Sequence, residues 1–174
     1  MSSTRSRASE PLPTDSVPVV TRILEGYATN GVFRGFNVIA KTPTTGKYRI
    51  VWHYNRALEL VLSVSKSTLR LGTVLPNIRS RSIMSREVKK FVEALHSSQR
   101  PDHRRIDPAR ARLLCSNRSG NIVLTMTVLA NEFEYATRKL IHATNEIFMI
   151  FLRDGPYSEY IQEVFGADPD MLGH

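Results

Sequence analysis

The feature that most constrains the fold is a regular alternation of side chains between positions 36 and 64. Tyr48, Ile50 and Trp52 alternate with Arg49, Val51 and His53, and Leu58, Leu60 and Leu62 follow the same rule. A period of two residues is typical of half-buried strands, because successive side chains point to opposite faces. The sequence therefore predicts strands at 36–41, 48–54 and 58–65, with a turn at 43–46 and a weaker fourth strand at 69–75.

The remaining patterns predict helices and one further hairpin. Apolar spacings of three and four residues favour helices at 17–28, 85–97 and from 131 to about 152, with a short helix at 157–165. Turn residues at 117–120 separate strands at 109–116 and 121–129. We expect an α+β domain with a single antiparallel sheet of about five or six strands and helices packed on one face, in the order α-β-β-β(-β)-α-β-β-α. Residues 1–15 are expected to be a flexible tail, and 16–174 the single domain.

Several classes of protein are excluded by the composition. The single cysteine, Cys115, leaves no intrachain disulfide and no zinc-type spacing. The longest strongly apolar run, 147–152, is far shorter than a membrane span, and the first residues lack the apolar run of a secretory signal. We expect a cytoplasmic protein without a membrane partner. We find no catalytic residues, metal ligands or nucleotide loop, and we predict no enzyme activity and no cofactor.

Positive charge is concentrated in the middle of the chain. The net charge is +8, from 24 Lys and Arg against 16 Asp and Glu, and residues 21–112 alone carry 18 basic and 6 acidic groups. Strand alternation places part of this charge opposite the aromatic positions, and the loop before the hairpin adds more. The candidate basic binding face consists of Arg49, His53, Arg110, Arg112, Arg104 and Arg105. Such a face is either a solvated surface that discourages edge aggregation or a binding surface for an acidic partner.

The end of the last long helix carries more apolar residues than one buried stripe needs. Met149, Ile150 and Leu152 lie outside that stripe and form the candidate dimer or partner surface. Two solutions remain open: the helix at 157–165 covers them, or a second copy does. Likewise, the basic middle part could meet the acidic residues of 113–174 in a second copy, or the two parts could neutralise each other within one chain.

The order of elements, with a hairpin at 117–121 followed by the helix opening Asn131-Glu132-Phe133-Glu134-Tyr135, carries a family resemblance. It resembles the type III secretion chaperone-like fold, including the YbjN-type bacterial proteins; a roadblock/profilin-like arrangement is the competing architecture. The resemblance implies a small homodimeric protein that binds other polypeptides or acts in regulation, without chemistry of its own.

These observations lead to two functional hypotheses. The first is a non-enzymatic, homodimeric protein-binding, chaperone or regulatory module, resembling the YbjN-like proteins. The alternative is a nucleic-acid-associated protein that places the basic segments 79–90 and 100–112 on phosphates.

Overall fold

A computed structural model of the chain describes residues 15–167. The predicted tail at 1–15 therefore lies, except for its last residue, outside the described residues, as does the segment 168–174. The helices are α1 Ser16–Thr29, α2 Ile83–Ala94, α3 Phe133–Glu146, a π-helical segment Ile147–Arg153 and α4 Ser158–Phe165. The strands are β1 Gly35–Lys41, β2 Thr45–Trp52, β3 Arg56–Ser63, β4 Thr68–Leu75, β5 Ala111–Arg118 and β6 Asn121–Val128.

All six strands form one antiparallel sheet in the order β1-β2-β3-β4-β6-β5. The first four strands form a meander. The chain then crosses by α2 to the far edge, and β6 returns to pair with β4. The predicted fold class is thus confirmed. The weakly predicted segment at 68–75 is a full strand, β4, which brings the number of strands to six.

One hydrophobic core lies between the sheet and the helices. Buried and exposed residues alternate along β2 and β3, so only one face of these strands is covered. Tyr48 of β2 is fully buried, and its hydroxyl lies 2.6 Å from Oγ1 of Thr21 on α1. Its ring lies above Gly46, where a Cβ would come within 2.5 Å of the tyrosine hydroxyl. A glycine is required here because this close approach leaves no room for a side chain.

Several element boundaries differ from the prediction. Helix α2 begins two residues earlier, because the side chain of Ser82 accepts a hydrogen bond from the amide of Ser85 at 3.1 Å and caps the helix. Asn131 does not cap α3: its φ is +56°, and the cap position falls on Glu132. The hairpin turn is shorter than predicted, since β5 continues to Arg118 and only Ser119 and Gly120 are left between the strands.

None of the helices within residues 15–167 has both the length and the apolar character to cross a membrane.

Candidate functional site

The face of the sheet opposite the helices carries an exposed set of basic and apolar side chains. We call it the open face. Side chains that are buried on β2, β3 and β5 point to the helices, so their neighbours along each strand point to the open face. The exposed charged and large apolar members of this face are Lys47, Arg49, Glu59, Val61, Arg70, Arg112, Leu114 and Arg118.

The strand register brings several of these residues into one row. Lys47 pairs with Val61, Val61 with Arg70, and Arg70 with Thr125. Thr125 in turn pairs with Leu114 at the far edge. Neighbouring strands lie about 4.8 Å apart, so the row from β2 to β5 spans roughly 19 Å. The row thus combines two cations, two apolar side chains and the half-buried Thr125 in a strip wide enough to hold an extended segment of another molecule.

The charge of the open face is positive and largely unpaired. Glu59 is its one exposed carboxylate, and Nζ of Lys47 lies 3.5 Å from it. Among residues 15–167, Arg49, Arg70 and Arg112 form no ion pair. Five cations, with Arg118 at the end of β5 as the fifth, against one carboxylate make this face attractive to an acidic partner.

Arg49 and Arg112 are the two members of the predicted basic face that lie on the open face. The sequence reasoning did not select Lys47, Arg70, Val61 and Leu114. Lys47 follows directly on the predicted turn, and Arg70 lies in the strand whose Gly72 weakened the prediction. The two-residue period of the strand could have identified Lys47, because it lies two residues before Arg49 and therefore points to the same face of β2.

His53 does not reach the open face, which corrects the prediction. β2 ends at Trp52, and His53–Asn55 forms a short 3-10 turn. The imidazole stacks between Trp52 and Phe148, with ring centroids 4.6 and 4.4 Å apart. Burial lowers the pKa of His53 to about 4, and nearby Asn145 only partly opposes this. A neutral, stacked imidazole adds no charge to a binding surface.

Arg110 also departs from the predicted face, because β5 begins at Ala111, two residues later than predicted. Its Nε and Nη2 donate to the two carboxylate oxygens of Glu132 at 2.5 and 2.9 Å. Its guanidinium carbon lies 3.7 Å from the ring centroid of Tyr135. The pairing raises the pKa of Arg110 and lowers the pKa of Glu132. The guanidinium of Arg110 therefore contacts Glu132 and Tyr135 at the start of α3 and does not belong to the open face.

Arg104 and Arg105 lie beside the helices, which is the third correction. Nε of Arg104 lies 3.5 Å from the carboxylate of Glu146, and Arg100 reaches the same carboxylate at 2.7 Å. Arg105 is half-buried, and its Nε has no hydrogen-bond partner in the described part of the chain. The basic segment 100–112 is thus divided between the two sides of the sheet.

The prediction that Leu152 belongs to a dimer or partner surface on the last helix is wrong, because this side chain is fully buried within the chain. Residues 147–153 adopt a π-helix, whose wider turn directs Ile147, Phe148, Phe151 and Leu152 inward. The Phe151 ring contacts Phe91 of α2 and Tyr157 beside α4, with centroids 5.5 and 4.7 Å apart. Only Met149 and Ile150 reach the surface, and Ile150 is 39% exposed. The chain itself covers most of this apolar surplus.

The basic segment 79–90 lies on and before α2. Its cations are exposed, and none forms an ion pair within the described part of the chain. Their acidic neighbour is Glu87. The five cations of this segment are Arg79, Arg81, Arg86, Lys89 and Lys90.

Cys115 belongs to the core. It is 9% exposed, and burial raises the pKa of its thiol to about 11. A thiol that keeps its proton at neutral pH is a poor nucleophile.

Within residues 15–167, no three His, Cys, Asp or Glu side chains are placed to hold one metal ion. Comparison of the chain with family models, with curated proteins and with solved structures found no match.

Proposed function

We propose that this chain is a cytoplasmic, non-enzymatic binding module that holds an acidic segment of another polypeptide on its open face. The observation that carries the proposal is the composition of that face: five exposed cations, one carboxylate, and the exposed apolar side chains of Val61 and Leu114. Lys and Arg attract carboxylates, while the apolar side chains add contact area.

The charge of the open face favours a different molecule over a second copy. Two copies meeting face to face would bring Lys47, Arg49, Arg70 and Arg112 of each against the same cations of the other. Like charges facing each other disfavour association. The homodimer stays a prediction, and a dimer would have to use another surface.

The resemblance noted in the sequence also favours polypeptide binding. The element order resembles that of the type III secretion chaperone-like and YbjN-type proteins, which implies a partner that is a polypeptide and a role in chaperoning or regulation. The single cysteine suits a reducing compartment.

A nucleic-acid partner is the second candidate, favoured by the five unpaired cations of the segment 79–90. These would contact phosphates and give an affinity that falls steeply with salt. The open face itself offers no ring on which a base could stack. The three strand aromatics, Phe36, Tyr48 and Trp52, all belong to the helix-facing aromatic cluster.

The experiment is a fluorescence anisotropy titration at two salt concentrations. The probes are a labelled peptide that alternates Glu with Leu, a matched peptide with Gln in place of Glu, and a labelled oligonucleotide. The proteins are the wild type, the open-face variant Arg70→Gln/Arg112→Gln, the α2 variant Arg86→Gln/Lys89→Gln and the control Lys66→Gln, whose lysine lies in the turn after β3.

We expect the acidic peptide to bind the wild type and to lose at least about tenfold in affinity with the open-face variant. The α2 variant and Lys66→Gln should bind it as the wild type does. Equal binding of the acidic and Gln peptides would overturn the proposal. Oligonucleotide binding that is lost in the α2 variant, without peptide binding, would establish the nucleic-acid alternative instead.

A further inference from the structure

A concave site separate from the open face lies on the helix side of the sheet, between α3 and the loop that leads to β5. It is a pocket of about 270 Å³, near the lower limit of the roughly 300–1,000 Å³ of ligand sites. Leu95, Ile106 and Ala143 form its apolar, buried base. The polar residues around it are His103, Arg104, Lys139, His142, Asn145 and Glu146.

The pocket holds more positive than negative charge. Its one carboxylate, Glu146, is already bound by Arg100 at 2.7 Å and by Arg104 at 3.5 Å. Two guanidinium groups thus share one carboxylate, and the ammonium group of Lys139 adds a third positive charge. Asp102 lies in the same loop, but its side chain is exposed and outside the pocket. The site keeps a net positive charge even when both histidines are neutral.

The ammonium group of Lys139 is fixed by one hydrogen bond and keeps further N–H donors for a ligand. Its Nζ donates one hydrogen bond to the carbonyl oxygen of His103 at 3.1 Å and lies 5.5 Å from the ring centroid of Tyr135. An ammonium group has three donors, so two remain for another acceptor. Arg104 directs its Nε towards Glu146, and its other guanidinium N–H groups form no hydrogen bond with any residue of 15–167.

The surroundings of the pocket disfavour the protonated forms of Lys139 and His142. Burial lowers the pKa of Lys139, and the charges of Arg110 and Arg100 add to the effect while Glu146 opposes it. Burial also lowers the pKa of His142, and the charge of Lys139 contributes. A bound anion would reverse both effects, since a nearby negative charge favours the protonated form.

We propose that this pocket binds the phosphate group of a small phosphorylated molecule, with Lys139 and Arg104 as the main charged contacts. The imidazoles of His103 and His142 and the amide of Asn145 supply further donors. A phosphate offers several acceptor oxygens and up to two negative charges, which suits this number of converging donors. The small apolar base would contact the rest of the molecule. This site is independent of the open face, which lies on the other side of the sheet.

The test measures binding by isothermal titration calorimetry and by chemical-shift changes in the ¹⁵N-labelled protein. The ligands are inorganic phosphate, pyrophosphate, glycerol phosphate and, as a dianion without phosphorus, succinate. The variants are Lys139→Gln, Arg104→Gln and the control Lys90→Gln, which removes the same charge from the exposed side of α2. Because Lys139 is half-buried, Arg104→Gln provides a second test at a residue whose side chain is largely exposed.

We expect phosphate compounds to bind more tightly than succinate and to shift the resonances of α3. Lys139→Gln and Arg104→Gln should each weaken phosphate binding by about tenfold or more, with Lys90→Gln unchanged. An equal loss with Lys90→Gln would mean that only the net charge matters. That result, equal affinity for succinate, or no binding by the wild type would overturn the proposal. None of these outcomes depends on peptide binding at the open face.

Discussion

At the scale of single residues, His53 shows how far a side chain can depart from its strand parity. Parity placed it among the cations of the open face, yet the strand ends one residue before it. Tyr54 and Asn55 then adopt positive φ angles of 55° and 59° and turn the chain. The imidazole is enclosed by two aromatic rings, and its Nε2 has no hydrogen-bond partner. The role of His53 is therefore in packing, and protonating its buried imidazole costs free energy in the folded protein.

The pH dependence of stability follows from this burial. The pKa of His53 is about 4 in the folded protein against 6.5 as the ordinary value, so the unfolded chain takes up the proton first. Stability is highest above pH 6.5 and falls as the pH drops towards 4, by about 3 kcal/mol from this group. We expect His53→Phe, which keeps the ring stack, to flatten this part of the curve of unfolding free energy against pH.

The measurement is urea unfolding at a series of pH values between 4 and 7. Identical slopes for His53→Phe and the wild type would contradict the assignment.

At the scale of elements, the end of the third helix decides how the C-terminal part packs. The π-helical segment places four apolar side chains inward, and Gly155 follows it. A Cβ at Gly155 would collide with the carbonyl oxygen of Phe151. The chain can leave the segment towards α4 only because this residue has no side chain. Gly26, by contrast, lies within α1 and faces open space.

These two glycines predict opposite effects of the same substitution. Gly155→Ala should destabilise the protein by about 2 kcal/mol, because backbone must move to relieve the collision. Gly26→Ala should stabilise it by about 0.5–1 kcal/mol, through the better helix propensity of alanine. Chemical denaturation of both variants measures these changes, and a destabilised Gly26→Ala together with an unchanged Gly155→Ala would refute the packing described.

At the scale of the whole molecule, ion pairs join the basic part of the chain to the acidic part. Arg100 and Arg104 bind Glu146, and Arg110 binds Glu132. These ion pairs form within a single chain, and pairing of the two parts between copies stays a prediction. Within residues 15–167, the cations without an ion pair include Arg49, Arg70 and Arg112 of the open face and all five of the segment 79–90.

The oligomeric state should not depend on the end of the last helix. Leu152→Ala removes a fully buried side chain, so it should cost about 2–5 kcal/mol of stability without changing the molecular mass in solution. Ile150→Ser changes an exposed residue and should leave both stability and mass near wild type. Light scattering with thermal unfolding measures both. A dimeric wild type that becomes monomeric with Ile150→Ser would restore this surface as an interface.

The amino-acid sequence by itself determined the fold class, the number and order of the main elements, and the parity that exposes Arg49 and Arg112. These follow from local rules, because strand and helix periods depend only on neighbouring residues. The tertiary structure decided where each element ends and which distant groups meet. Arg110 joins Glu132, His53 stacks on Phe148, and Leu152 is covered by residues from other elements. Such contacts depend on the register of the sheet and the path of the chain between elements, and no local pattern contains either.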